Sequence, residues 1–152
     1  MANGTSELES KLRIFHERKK LAVIEDALAT VLTGKSLAQD AVPSWVPEAI
    51  QRFWDADGEP ISFCSDELEP TDLASWTEDQ LACHGIGCKC YVASHLSIKP
   101  WISCNQTPGW SRLLRTVVPE PILVLANDFG TVVGFLELEY SHAVYVATAP
   151  AR

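Results

Sequence analysis

The sequence predicts an α+β domain, an antiparallel sheet preceded by an N-terminal amphipathic helix and accompanied by short helices. Three observations predict it. Apolar residues recur at helical spacing through residues 6–33. The segment PILVLANDFGTVVGFLELE reads as two β-rich runs joined by Asn127-Asp128-Phe129-Gly130, a strong hairpin signal. Between these ends, short apolar runs alternate with loops that carry Pro and Gly.

Length and composition bound the rest. The chain has 152 residues, 47% hydrophobic and 21% charged, which suits one core of ordinary size. Five tryptophans against one methionine point to specific packing or a flat-walled pocket. A formal net charge of −8 argues against a nucleic-acid backbone or an anionic membrane surface as partner, because both need a basic face. A basic protein partner is compatible with it. No apolar run approaches the roughly 18–20 residues of a membrane span. The charged start MANGTSELESKLRIFHERKK does not read as a signal peptide. With five cysteines, an odd count, the expected compartment is the cytoplasm.

Taken in order, Leu8, Leu12 and Phe15 open the helix over 6–33, and Leu21, Ile24, Leu28 and Val31 continue its stripe. Gly34 is its expected C′ residue. This divides the chain into an N-terminal helix, residues 1–34, and a single domain, residues 35–152. KSLAQDAVPSWVP is a loop broken by Pro43 and Pro47. The turn signal Asp55-Ala56-Asp57-Gly58 predicts a hairpin with strands at 50–54 and 61–64, against a competing short helix over 47–54. DELEPTDLASW is loop or short helix, and Thr77-Glu-Asp-Gln80 has the spacing of a capping box that opens a helix ending before Gly85. CYVASHLSI and WISC are short strands or a helix–strand pair. TPGWSRLLRT supplies a helical turn or two, and AVYVATA a further strand.

Three cysteines and two histidines fall within CHGIGCKCYVASH, residues 83–95. Cys83, His84, Cys88 and Cys90 are all potential zinc ligands, but Cys-x4-Cys-x-Cys lacks the two-residue gaps of a zinc knuckle. Cys88 and Cys90, two apart, would share one face of a strand and line a core or pocket wall as small hydrophobes. A Cys–His hydrolase would pair Cys88 or Cys90 with His142, though no orienting residue follows His142. Arg112 and Arg115, three apart, are either an anion-binding pair or solvated charges.

The order of three segments resembles a GAF domain, the small-molecule sensing module of signalling proteins. FWDADGEPISF resembles the early hairpin; HGIGCKCYVASHLSIKPWISCNQTPGWSRLL the middle region; PEPILVLANDFGTVVGFLELE the closing hairpin. Together they cover roughly residues 45–140. YSHAVYVATAPAR departs from the helix with which such domains usually close, so the N-terminal helix or a second subunit would cover that face of the sheet.

The resemblance implies a GAF-like antiparallel sheet with helices on one face and, on the other, a pocket roofed by residues 83–115. The ligand-lining candidates are Trp54, Cys88, Cys90, Trp101, Cys104 and Trp110. The implied function is a non-catalytic sensory or regulatory domain that binds a small molecule and signals through a protein partner, with residues 6–33 as dimerisation element. Two other classes compete: a small acidic inhibitor or immunity-type protein, and a redox enzyme similar to GAF-type free methionine sulfoxide reductases. The latter would use Cys83 and Cys88, but no third cysteine lies between Gln106 and Ile122.

Overall fold

The computed structural model describes residues 2–33, 36–55 and 58–150, with side chains from Ser6 onward. Four helices, α1 (Ala2–Ala27), α2 (Trp45–Phe53), α3 (Pro70–Cys83) and α4 (Trp110–Val117), accompany six strands. These are β1 (Ser62–Ser65), β2 (Lys89–Ala93), β3 (Trp101–Asn105), β4 (Ile122–Ala126), β5 (Thr131–Glu137) and β6 (Ser141–Thr148). The strands form one open antiparallel sheet in the order β1-β6-β5-β4-β2-β3. No helix among the described residues is long and apolar enough to cross a membrane.

Strand alternation gives the sheet two apolar faces, and each has its own core. On one face Cys90, Val92, Cys104, Val124, Val133, Phe135 and Val144 pack against Ile24 of α1, Leu28 just after it, Leu81 of α3, and Trp110 and Leu114 of α4. On the other, Ala93, Trp101, Leu123, Leu125, Val132, Ala143 and Tyr145 meet Val46, Ala49 and Phe53 of α2. The expectation of helices on one face is therefore corrected: α2 covers the opposite face. The strand expected over 50–54 is corrected with it, and the short-helix alternative is the one observed. Val46, Ala49 and Phe53 recur at helical spacing, and Pro47 lies in the first turn, where its missing N–H costs no bond. Ala56 and Asp57 of the expected turn lie outside the described residues.

The first helix is shorter at its end than the apolar stripe predicts. It stops at Ala27, and the chain turns through Leu28–Val31 to run along the outer edge of β3. There Asn105 N–H donates to Val31 O (2.7 Å), Thr33 N–H to Ser103 O (2.9 Å) and Leu37 N–H to Trp101 O (2.9 Å). An otherwise open sheet edge takes these residues as partners, which outweighs continuing the helix. Gly34, the expected helix end, lies outside the described residues.

The capping box expected at Thr77 is also corrected. Pro70 opens α3, and Thr77 sits inside it, donating from its hydroxyl to Leu73 O (2.8 Å). The helix does end before Gly85. Gly85 adopts φ +79°, its N–H donates to Ala82 O (3.2 Å), and Ile86 N–H reaches back to Leu81 O (3.0 Å). This is the Schellman arrangement, which needs a residue tolerant of the left-handed region. The first glycine of the Gly-x-Gly in CHGIGC is thus the terminator of α3. The start of α4 is tied to α3 by the Glu78 carboxylate, which accepts from Gly109 N–H (3.0 Å) and the Ser111 hydroxyl (2.7 Å).

Candidate functional site

A cleft of about 420 Å³ opens where α2 meets the β2–β3 connection. Helix α2 supplies Ile50 and its C-cap supplies Trp54, because these residues flank the buried stripe of Val46, Ala49 and Phe53. The sheet supplies Trp101 as its floor, and the loop after β2 supplies His95 and Ser97. Among the described residues, no Asp, Glu, Lys or Arg lines the cleft. Its lining is mostly apolar, with Gln39, Gln51, His95 and Ser97 as the side-chain donors and acceptors, which favours a largely apolar occupant.

His95 is held in an uncommon conformation for this role. Its φ is +63°, a region that residues with a Cβ enter at a cost, and its Nε2 donates to Pro121 O at 2.7 Å. With that nitrogen bound to a carbonyl, Nδ1 of the neutral ring is the acceptor. Ser94 braces the same loop: its hydroxyl donates to Lys99 O (2.6 Å) and accepts from Leu96 N–H (3.0 Å).

The loop is also gripped from outside by α1. Glu17 accepts from the Ser97 hydroxyl (2.8 Å) and Ile98 N–H (3.0 Å), and those bonds hold its carboxyl below the usual range. Lys99 pairs with Glu25 at 3.0 Å. A second groove, about 410 Å³, lies on the α1 side of the loop between Val23, Ile24, Leu96 and Val117. The segment from Ser94 to Lys99 therefore separates two cavities and is bonded to the N-terminal helix.

The six residues expected to line a single pocket are divided by the sheet. Trp54 and Trp101 share the cleft. Cys90, Cys104 and Trp110 are buried in the core of the opposite face, at 1%, 0% and 1% exposure, and Cys88 is exposed just before β2. Cys83 is exposed at the end of α3. Cys83, His84, Cys88 and Cys90 are not among the ligand-type side chains that the fold gathers within 4.8 Å of one another. His142 lies opposite Cys64 in the β1–β6 register, rather than beside Cys88 or Cys90. Arg115 is largely buried and bonded to Glu120 (3.1 Å) and the Thr77 hydroxyl (3.1 Å), so it does not form an anion clamp with the exposed Arg112.

Sequence reasoning missed His95, Ser97 and the α1 carboxylates Glu17 and Glu25. Nothing in SHLSIKPW announces a positive φ at His95. Its neighbours Glu17 and Ser97 are 80 positions apart. The one legible hint was Pro100, a loop-to-strand marker directly before Trp101.

The buried thiols behave as small hydrophobes. Cys90 and Cys104 face each other across the β2–β3 register. Burial pushes both from the ordinary 9.0 to about 12, with neighbouring thiols adding to the rise for Cys90. They are protonated, and so poor nucleophiles, at neutral pH. The stability that this confers is complete below the unfolded-state value near 9.0 and is lost as pH rises through about 12. The denaturation midpoint should therefore fall over that window, and fall less in Cys104→Ala. In native protein, iodoacetamide should modify Cys83 and Cys88 while Cys90 and Cys104 react only after unfolding. Native labelling of Cys90 as fast as that of Cys88 would contradict the packing.

No protein-family model, curated protein or solved structure matches the chain.

Proposed function

We propose that the chain is a ligand-responsive regulatory domain, of the sensory kind that the GAF resemblance implies. It takes an uncharged, planar, largely apolar molecule in the cleft between Trp54 and Trp101, and α1 transmits occupancy. The observation that carries this reading is the double attachment of the 94–99 segment. Its Ser97 lines the cleft while its hydroxyl and the next amide are held by Glu17 of α1. A ligand that moves this loop must strain or release those bonds, and differential contact of that kind is what lets a ligand shift an equilibrium.

The exposed half of α1 favours a partner as the recipient of the signal. Leu8, Leu12 and Phe15, at i, i+4 and i+7, are 58%, 49% and 52% exposed. The helix runs 26 residues, about 39 Å, and residues 6–13 are all exposed. Helical segments without packing are marginal in water, so a second copy of α1 seated on this stripe would stabilise it.

The test combines binding with mass. Planar neutral heteroaromatics carrying an N–H or O–H donor are titrated against tryptophan fluorescence, and light scattering records the oligomer. Trp54→Ala and His95→Ala should each weaken binding about tenfold, the scale of one aromatic contact or one hydrogen bond to a buried partner. Glu17→Ala should leave binding intact and abolish the ligand's effect on assembly. Affinity unchanged in both cleft variants would place the ligand elsewhere, and a monomer indifferent to ligand would remove α1 from the function.

A further inference from the structure

On the sheet face opposite the cleft, Glu120, Glu137 and His142 converge, each offering a ligating atom within 4.8 Å of the other two. The register explains how. Glu137 and His142 are paired across β5–β6, so their side chains share a face, and Phe135↔Val144, two residues along, places that face among α3 and α4. Glu120 lies in the short connection between α4 and β4. Its Oε1 accepts from Arg115 Nη1 (3.1 Å) and its Oε2 from Glu137 N–H (2.6 Å).

His142 is the anomaly in this cluster. It is 6% exposed, and its Nδ1 is buried without a hydrogen-bond partner. Buried polar atoms are nearly always satisfied, because an unmade bond costs about 1–3 kcal/mol. A ring nitrogen beside two carboxylates that are reachable from solvent is the donor set of a metal with open coordination positions. We infer that Glu120, Glu137 and His142 form a binding site for a divalent first-row metal ion of the zinc class, distinct from the cleft.

The charges agree with this assignment. Two carboxylates outweigh the single Arg115 guanidinium, leaving net negative charge for a dication. Arg115 holds one Glu120 oxygen in place, much as outer hydrogen bonds orient carboxylates at other metal sites. One imidazole with two carboxylates lacks thiolate, which disfavours Cu(I), and includes a nitrogen, which disfavours Ca²⁺ and Mg²⁺. Water fills the remaining positions, since both glutamates are exposed.

The experiment uses the full chain, stripped with chelator and titrated with Zn²⁺ alone, followed by calorimetry and thermal unfolding. Co²⁺ then reports geometry through its ligand-field bands. Saturable binding at one equivalent, with a raised Tm reversed by chelator, is expected. Glu137→Gln, an exposed and near-isosteric change, should weaken binding about tenfold or more while leaving circular dichroism unchanged. His142→Gln should do the same where it folds; Glu120→Gln provides the independent second ligand. Cys83→Ser with Cys88→Ser should leave binding intact. No Zn²⁺-dependent shift, or binding that survives Glu137→Gln and Glu120→Gln but vanishes with the cysteines, overturns the assignment.

Discussion

Phe135→Ala is expected to destabilise the protein by about 3–5 kcal/mol. Phe135 is 0% exposed in the middle of β5, between Ile122 of β4 and Val144 of β6. Its ring meets Trp76 of α3 edge-on, with centroids 5.8 Å apart, and the Arg115 guanidinium lies 5.9 Å from its centre. Truncation leaves a cavity bounded by the central strands, which have little freedom to collapse. It also leaves Arg115 over a void, although burial already pushes that guanidinium below its ordinary value. A domain of this size has only about 5–15 kcal/mol in hand, so the variant should lose a large share of its stability. Urea denaturation read by circular dichroism checks this. Phe135→Leu, which keeps most of the volume, should lose far less, and equal losses for the two would contradict a packed ring.

Gly134→Val is the second large effect, and it acts on the opposite face. A Cβ at Gly134 would stand 3.2 Å from Leu123 Cδ2 and 3.2 Å from Phe53 Cδ2, and valine adds two methyls to that crowding. Gly134 is the gap in the sheet into which Phe53 of α2 settles. Overpacking such a contact costs about 1–3 kcal/mol. The strain should fall on α2, the element that carries Ile50 and Trp54, so the cleft should be lost before the fold. Gly134→Ala combined with Phe53→Leu should recover part of the loss, because the shortened side chain leaves room for the new methyl. A double-mutant cycle measures that coupling, and additive losses would show that Phe53 does not rest on Gly134.

The closing hairpin was legible because its signals are local. Ile122–Ala126 and Thr131–Glu137 carry their β-branched residues beside the turn that joins them, and Ser141–Thr148 follows directly. The helix α2 was ambiguous for a local reason too. Its apolar stripe begins at Val46, before Pro47, so a reading that starts after the proline sees only EAIQRFW. The candidate cleft was half legible: aromatic residues drew attention to Trp54 and Trp101 as large flat surfaces. The same argument brought in Trp110, which is equally aromatic but opens α4 and is buried in the core on the other side of the sheet. Residue type says that an indole will be sheltered, and strand register says on which side.

The cysteine segment shows the same division. Helical and turn chemistry place Gly85 at the end of α3, readable from spacing alone, whereas the expected shared face of Cys88 and Cys90 fails because β2 begins only at Lys89. That Cys90 meets Cys104 and sinks into a core, while Cys88 stays in solvent, depends on the β2–β3 pairing and on where β2 begins.

Amino-acid order thus specified the α+β class, the final hairpin and a long N-terminal helix, because periodicity and turn propensity act over a few residues. Four features waited on the folded chain: which face each helix covers, the 94–99 segment gripped by Glu17, the floor under Phe53, and the Glu120–Glu137–His142 cluster. Each joins residues far apart in sequence, and the pairing of six strands, a long-range property of the packed sheet, brings them together.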